Sequence, residues 1–159
     1  MLSTIPHTTK TIIHGDAKCP NFFFREKGEK TDVGMIDFQW TGAGLCATDV
    51  AYAIWTCPQF GVLDKEKELV LYYHDQLIEA LLDTFRAEDV RSWLPLDQFL
   101  EEYQNCFLDL SRCIIADHWE TISLSTIRER KGKMVYIAYK DQDIAKLLLT
   151  RVMQCLDQI

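Results

Sequence analysis

Apolar and polar positions divide this chain into two regimes that meet near residue 45. In the first, apolar residues fall in short clusters separated by turn-forming residues. Thr11-Ile12-Ile13 leads into a loop and Phe22-Phe23-Phe24 is a brief aromatic run. Arg25 to Asp32 is polar and holds Gly28, and Val33 to Phe38 is apolar again. Runs this short, bounded by Gly, Pro and Asp, predict a strand, a loop, then two short strands joined by a polar turn. Gly15 and Pro20 argue against helix through the loop.

The second regime carries helical periodicity. Thr48 is a predicted cap for a helix over 49–56, which Pro58 ends. Asp64 is placed to cap a long helix with Leu69, Tyr73, Leu77, Leu81 and Phe85 on one face. Asp97 opens another after Pro95, burying Phe99, Leu100, Tyr103, Phe107, Leu110 and Ile114. Lys131-Gly132-Lys133 is a break. A last helix from about Asp141 turns Ile144, Leu147, Leu148, Val152, Cys155 and Leu156 inward. With no repeat and no low-complexity linker, the pattern predicts one α+β unit over 1–159. Within it a small β ribbon over 1–45 precedes a helical bundle over 46–159.

Composition narrows the function classes. The chain has 159 residues, 48% hydrophobic and 26% charged, which is ordinary globular composition. Its net charge of −7 argues against a general nucleic-acid binder. Six cysteines lie scattered without a Cys-x-x-Cys pair, and Met1 to Lys10 has no apolar core of the kind a secretory leader carries. No apolar run approaches the roughly 18 residues of a membrane span. The expectation is a cytoplasmic protein with reduced thiols, bound to neither nucleic acid nor membrane.

Candidate chemistry gathers in two stretches, His14-Gly15-Asp16-Ala17-Lys18-Cys19-Pro20-Asn21 and Met35-Ile36-Asp37-Phe38-Gln39. Kinase catalytic loops place an asparagine five residues after the catalytic aspartate, with a metal-holding Asp-Phe-Gly further on. Asp16 and Asn21 keep that spacing, and Lys18 stands where many such loops carry a lysine. Each motif alone occurs by chance as a polar turn or a strand end. Their order changes the reading, because a hairpin between Asn21 and Asp37 would return both oxygens to one end. Magnesium prefers hard oxygen ligands and takes one or two carboxylates plus phosphate oxygens and water.

These residues give the chain a resemblance to the aminoglycoside phosphotransferase and choline kinase-like superfamily, in its ecdysteroid kinase-like (CHK kinase-like) branch. His14-Gly15-Asp16 with Asn21 is similar to the family's catalytic loop. Ile36-Asp37-Phe38-Gln39, Gly42-Ala43-Gly44 and Asp49-Val50-Ala51-Tyr52 are similar to its second block. The resemblance implies the C-terminal catalytic lobe of a protein-kinase-like fold and ATP-dependent phosphorylation of a small-molecule alcohol. By it, Asp16 would orient or accept the substrate hydroxyl proton and Lys18 would meet the γ-phosphate. Asn21 and Asp37 would bind Mg²⁺ and, through it, ATP. His14 would brace the loop, and Asp49 would hold the loop through backbone N–H groups. Gly42 and Gly44 are expected to let the chain turn tightly before the first helix.

A protein kinase fits less well. Gly15 replaces the arginine of His-Arg-Asp, Gln39 replaces the glycine of Asp-Phe-Gly, and no Ala-Pro-Glu follows. Trp55, Trp93 and Trp119 with Tyr72, Tyr73 and Tyr103 could wall a pocket for a quaternary ammonium, but aromatics at helical spacing are usually core. Asp117-His118-Trp119-Glu120 lies near the end of a long helix, and the acidic face of Asp75, Glu79 and Asp83 reads as solvated. His7, His74 and His118 lack zinc-ligand spacing, and the cysteines lack a partnered histidine.

No Gly-x-Gly-x-x-Gly precedes the loop and no strand lysine pairs with a helix glutamate. The expectation is therefore a chain without its nucleotide-binding lobe, leaving apolar surface for that lobe or a partner chain to cover. The alternative to a catalytic lobe is a truncated or inactive kinase-like remnant that binds a metabolite or protein.

Overall fold

In a computed structural model the structure describes residues 10–56, 60–118 and 142–157. The chain is α+β, as its pattern predicts. Strand β1 (Lys10–Ile13) runs into the His-Gly-Asp loop, and a 3₁₀ turn (Cys19–Asn21) leads to β2 (Phe22–Lys27) and β3 (Lys30–Met35). A second 3₁₀ turn (Phe38–Trp40) precedes β4 (Gly42–Leu45). The helices are α1 (Ala47–Thr56), α2 (Phe60–Leu63), α3 (Glu66–Leu82), α4 (Ala87–Trp93), α5 (Leu96–Cys113) and α6 (Gln142–Leu156). A π turn, Ile114–His118, extends α5.

The strands form two antiparallel pairs. β1 pairs with β4, Ile13 opposite Gly42, so the strand that enters the loop is tied to the one that leaves the second motif. β2 and β3 make a hairpin with Phe22 opposite Met35 and Lys27 opposite Lys30. Its two-residue turn opens with Gly28 at φ 63°, the first position of a type II′ turn, where glycine meets no steric cost. The hairpin is longer than the apolar clusters suggest. Arg25 and Lys27 pair with Asp32 across the strands at 2.7 and 3.3 Å, so the polar residues expected in the turn are extended.

Helix α1 is the core's axis. Ala47 and Ala51 are fully buried one turn apart, and their small side chains let α5 pack closely. Trp55 meets Phe107 with ring centroids 4.7 Å apart. Val70, Phe99, Ile114, Ile144 and Leu148 complete the apolar interior. Trp55 Nε1 and the Tyr103 hydroxyl both donate to Glu66 Oε1, at 3.2 and 2.9 Å, and Arg151 reaches Glu66 Oε2 at 3.2 Å. This cluster joins α1, α3, α5 and α6 around one carboxylate. Burial, then the Glu66 charge, pushes the Tyr103 hydroxyl far up.

Several expectations change. Gly42 and Gly44 sit in extended β4 with ordinary φ and form no turn; a side chain at Gly44 would run into Ile13. Helix α1 starts one residue before Thr48, whose hydroxyl lies 3.6 Å from Cys106 Sγ in place of capping. Lys65, not Asp64, flanks α3, and Phe85 lies beyond its end, edge-on to Trp93 at 5.1 Å. Leu100 and Leu156 face outward because α5 and α6 each bury only one stripe. β4, α2 and α4 carry no periodic signal long enough to announce them. Pro58, Trp119, Glu120 and the Lys131-Gly132-Lys133 break lie outside the described residues, as do His7 and the side chains of Asp117 and His118.

Candidate active site

Three local devices shape the loop after β1. Gly15 has φ 81°, and a Cβ there would fall on the Trp40 carbonyl oxygen, so only glycine lets the loop lie against the second 3₁₀ turn. Asp49, in the first turn of α1, accepts the His14 N–H at 2.7 Å through Oδ2 and the Gly15 N–H at 2.9 Å through Oδ1. His14 is buried and links the two motifs. Its Nδ1 accepts the Asp16 N–H at 3.2 Å, which makes Nε2 the protonated nitrogen, donating to the Ile36 carbonyl at 2.8 Å. His14 and Asp49 are the two residues expected to brace the loop, and these are the bonds they make.

Asp16 is 5% exposed. Its Oδ2 accepts from Lys18 Nζ at 2.6 Å and from Asn21 Nδ2 at 3.0 Å. Tyr52 stands one turn along α1 from Asp49. Burial pushes the Asp16 carboxyl up. The bonds from Lys18 and Asn21, the Lys18 charge and the Tyr52 hydroxyl outweigh it, and the net shift is downward. Asp16 is thus an ionised carboxylate at neutral pH, fixed in direction by the Lys18 and Asn21 donors.

Asn21 is also buried, and both of its amide hydrogens go to Asp16, one to the backbone oxygen at 2.8 Å and one to the carboxylate. Two acceptors facing one group identify it as the NH₂, so Oδ1 is turned away and takes no hydrogen bond among the described residues. The hairpin then brings the second motif alongside, with the Ile36 N–H donating to the Asn21 carbonyl at 3.0 Å. Asp37 follows directly, exposed and in the left-handed region at φ 65°, ψ 58°. It occupies the cap position of the second 3₁₀ turn, yet its side chain makes no capping bond. A non-glycine residue held there with a free carboxylate is the kind of strain found at functional sites.

These residues fit a magnesium ion held jointly with phosphate. The unused oxygens are hard donors, one amide and one carboxylate, on segments pinned together by the Ile36 bond. Among the described residues no group of three or more His, Cys, Asp or Glu could hold a metal by itself.

The other candidates sit elsewhere. Trp55 and Tyr103 are core, Tyr72 is exposed, and Tyr73 and Trp93 line a groove of about 360 Å³ with Ile12, Leu77, Leu81 and Leu94. None of the six site residues lines it. Burial pushes the Cys46 thiol up to about 12 and raises Cys106, so neither is a ready nucleophile. Tyr52 is the residue sequence reasoning left without a role; its place three residues after Asp49, on the same helix face, was the signal.

A sequence model described as the ecdysteroid kinase-like family matches residues 1–85, just over half of the chain, and spans both motifs. No curated protein and no solved structure matches.

Proposed function

The chain belongs to the ecdysteroid kinase-like family, and from that membership we propose that it transfers the γ-phosphoryl group of ATP to the hydroxyl of a small-molecule alcohol. The observation that carries this reading is the pairing of a fixed, buried, ionised Asp16 with the unengaged oxygens of Asn21 and Asp37. Phosphoryl transfer asks mainly for positioning and for cancellation of charge. Asn21 and Asp37 would hold Mg²⁺, which neutralises phosphate charge when bound. Asp16 would align the acceptor hydroxyl. Its lowered proton affinity makes it a weak base, suited to a loose transition state in which the hydroxyl proton leaves late. Lys18, paired with Asp16 in this structure, has its ammonium partly exposed and within reach of an incoming phosphate.

Large apolar side chains surround these residues without cover. Ile12, Phe24, Ile36, Phe38 and Trp40 are all exposed, Trp40 by 67%. On the hairpin, Phe22 and Phe24 stack at 6.4 Å opposite Met35 and Val33, forming an apolar face. We read this surface as the seat of a nucleotide-binding lobe or partner chain. The same surface favours the second reading, a non-catalytic module that binds a protein or metabolite there. Transfer of labelled γ-phosphate from Mg·ATP to a panel of aminoglycosides, choline and steroid alcohols separates the two. Label on one acceptor class, lost in Asp16→Ala, supports the kinase. No transfer to any acceptor, with a nucleotide-binding lobe of the family added in trans, would favour the binding module.

A further inference from the structure

We propose that the groove between β1, α3 and α4 binds a small amphipathic carboxylate, an apolar body ending in one carboxylate group. None of Asp16, Lys18, Asn21 and Asp37 lines this groove, so the proposal stands apart from the phosphotransfer reading.

One helix stripe and one strand build the groove. Tyr73, Leu77 and Leu81 recur every fourth residue along α3 and so share the face that lines it. Cys46 and Leu94, both buried, line it on the core side. The Tyr73 hydroxyl donates to the Cys46 carbonyl at 3.2 Å, which ties α3 to the chain just after β4. Trp93, edge-on to Phe85 at 5.1 Å, forms the α4 side. Ile12 forms the β1 side yet is 80% exposed, so the groove is open there.

Size selects the class of occupant. The volume of about 360 Å³ falls within the roughly 300–1,000 Å³ of small-molecule sites. Among the described residues nine line the groove, too few for a stable protein interface, which takes about 20–30 on each side.

Charge selects the end group. The chain carries a net charge of −7, yet among the described residues lining the groove Lys10 is the one charged side chain, with no Asp or Glu. Cys46 and Tyr73 add no negative charge, because burial pushes thiol and phenol each up to about 12. A carboxylate placed at the Lys10 end leaves its apolar body to Leu77, Leu81 and Trp93. Lys10 is exposed, so the ion pair sets the preference for an anion while apolar burial supplies most of the affinity.

The test is titration of the isotope-labelled full chain, without nucleotide, with octanoate, octanol and octylammonium, followed by amide chemical shifts. The three probes share an apolar tail and differ in head group. The expected result is saturable shifts at Thr11, Ile12, Leu77 and Leu81, with octanoate bound tightest and octylammonium weakest. Lys10→Gln should weaken octanoate about fivefold, the worth of an exposed ion pair, and leave octanol unchanged. Ile12→Glu, which sets a carboxylate on the rim, should remove the preference for octanoate. Phe24→Ser, on the separate apolar face of the hairpin, should change nothing. Shifts centred on the hairpin, equal affinity for the three probes, a preference that survives Lys10→Gln, or no saturable binding would each overturn the proposal. Should Ile12→Glu not fold, the Lys10→Gln comparison decides alone, since it alters only an exposed side chain. With no nucleotide present, failure of the kinase reading leaves every outcome interpretable.

Discussion

At Asp37 the backbone stands at φ 65°, ψ 58°, while the carboxylate declines the cap bond its position offers. Left-handed backbone costs a side chain about 1 kcal/mol that glycine avoids. Asp37→Gly is therefore expected to leave unfolding stability unchanged or raise it by about 1 kcal/mol while removing the proposed metal ligand; a clear loss of stability would mean the carboxylate supports the fold. Gly15 is the opposite case. Alanine there adds left-handed strain of about 1 kcal/mol to a collision with the Trp40 backbone, so Gly15→Ala should lower the melting temperature sharply, as followed by circular dichroism. Asp16 links stability to pH. Its native carboxyl lies below the ordinary value, so its contribution is complete above about pH 4 and is lost as pH falls through the lowered value. Acid unfolding of Asp16→Asn should lack that component. At this scale the order and spacing of the two motifs marked Asp16, Asn21 and Asp37 as candidates. It could not show that Asp37 is strained or that Asn21 gives both amide hydrogens to Asp16, since both depend on how the hairpin meets the loop.

Elements explain why separated motifs become one site. β1 pairs with β4 and the Ile36 N–H pins β3's end to Asn21, so loop and second motif are fastened on both sides. Asp49 then anchors the loop to the core through α1. Asp49→Ala strands two N–H groups and should cost about 2–3 kcal/mol, read as a shift in urea midpoint with unchanged slope. A cost near zero would mean the loop holds itself. The α1, α3, α5 and α6 junction depends likewise on Glu66. Removing it takes the acceptor from Arg151 Nε and Tyr103 and leaves Trp55 with the Tyr103 hydroxyl, at about 2 kcal/mol, less than a fully buried pair because both charged side chains retain some solvent contact. Long helices were legible from periodicity, α3, α5 and α6 all lying close to where the apolar spacing put them. Short elements were not. β4 is Gly-Ala-Gly-Leu, with almost no side chain to signal a strand, and its structure comes from pairing with β1.

Across the whole molecule, a helical core carries a thin β layer whose outer face is apolar. Among the described residues no helix is long and apolar enough to cross a membrane, and exposed Phe23, Phe24, Phe38 and Trp40 all lie on the hairpin and second motif rather than along one helix. Such a patch should drive association at raised concentration despite a net charge of −7. A double change of Phe24 and Trp40 to serine should lower the sedimentation-average mass if the chain self-associates through this face. The exposed side chains were foreseeable only as a consequence of the kinase-like resemblance, because hydrophobic patterning reports which residues are apolar and not whether anything covers them.

The account turns on whether Asn21 and Asp37 form a working magnesium and nucleotide site with Asp16 beside them. Calorimetric titration of Mg·ATP into the chain, with Asp37→Ala and metal-free ATP as controls, asks this directly. The account predicts magnesium-dependent binding that disappears in Asp37→Ala while the variant remains folded. Binding that is indifferent to magnesium, or survives loss of the Asp37 carboxylate, would contradict it.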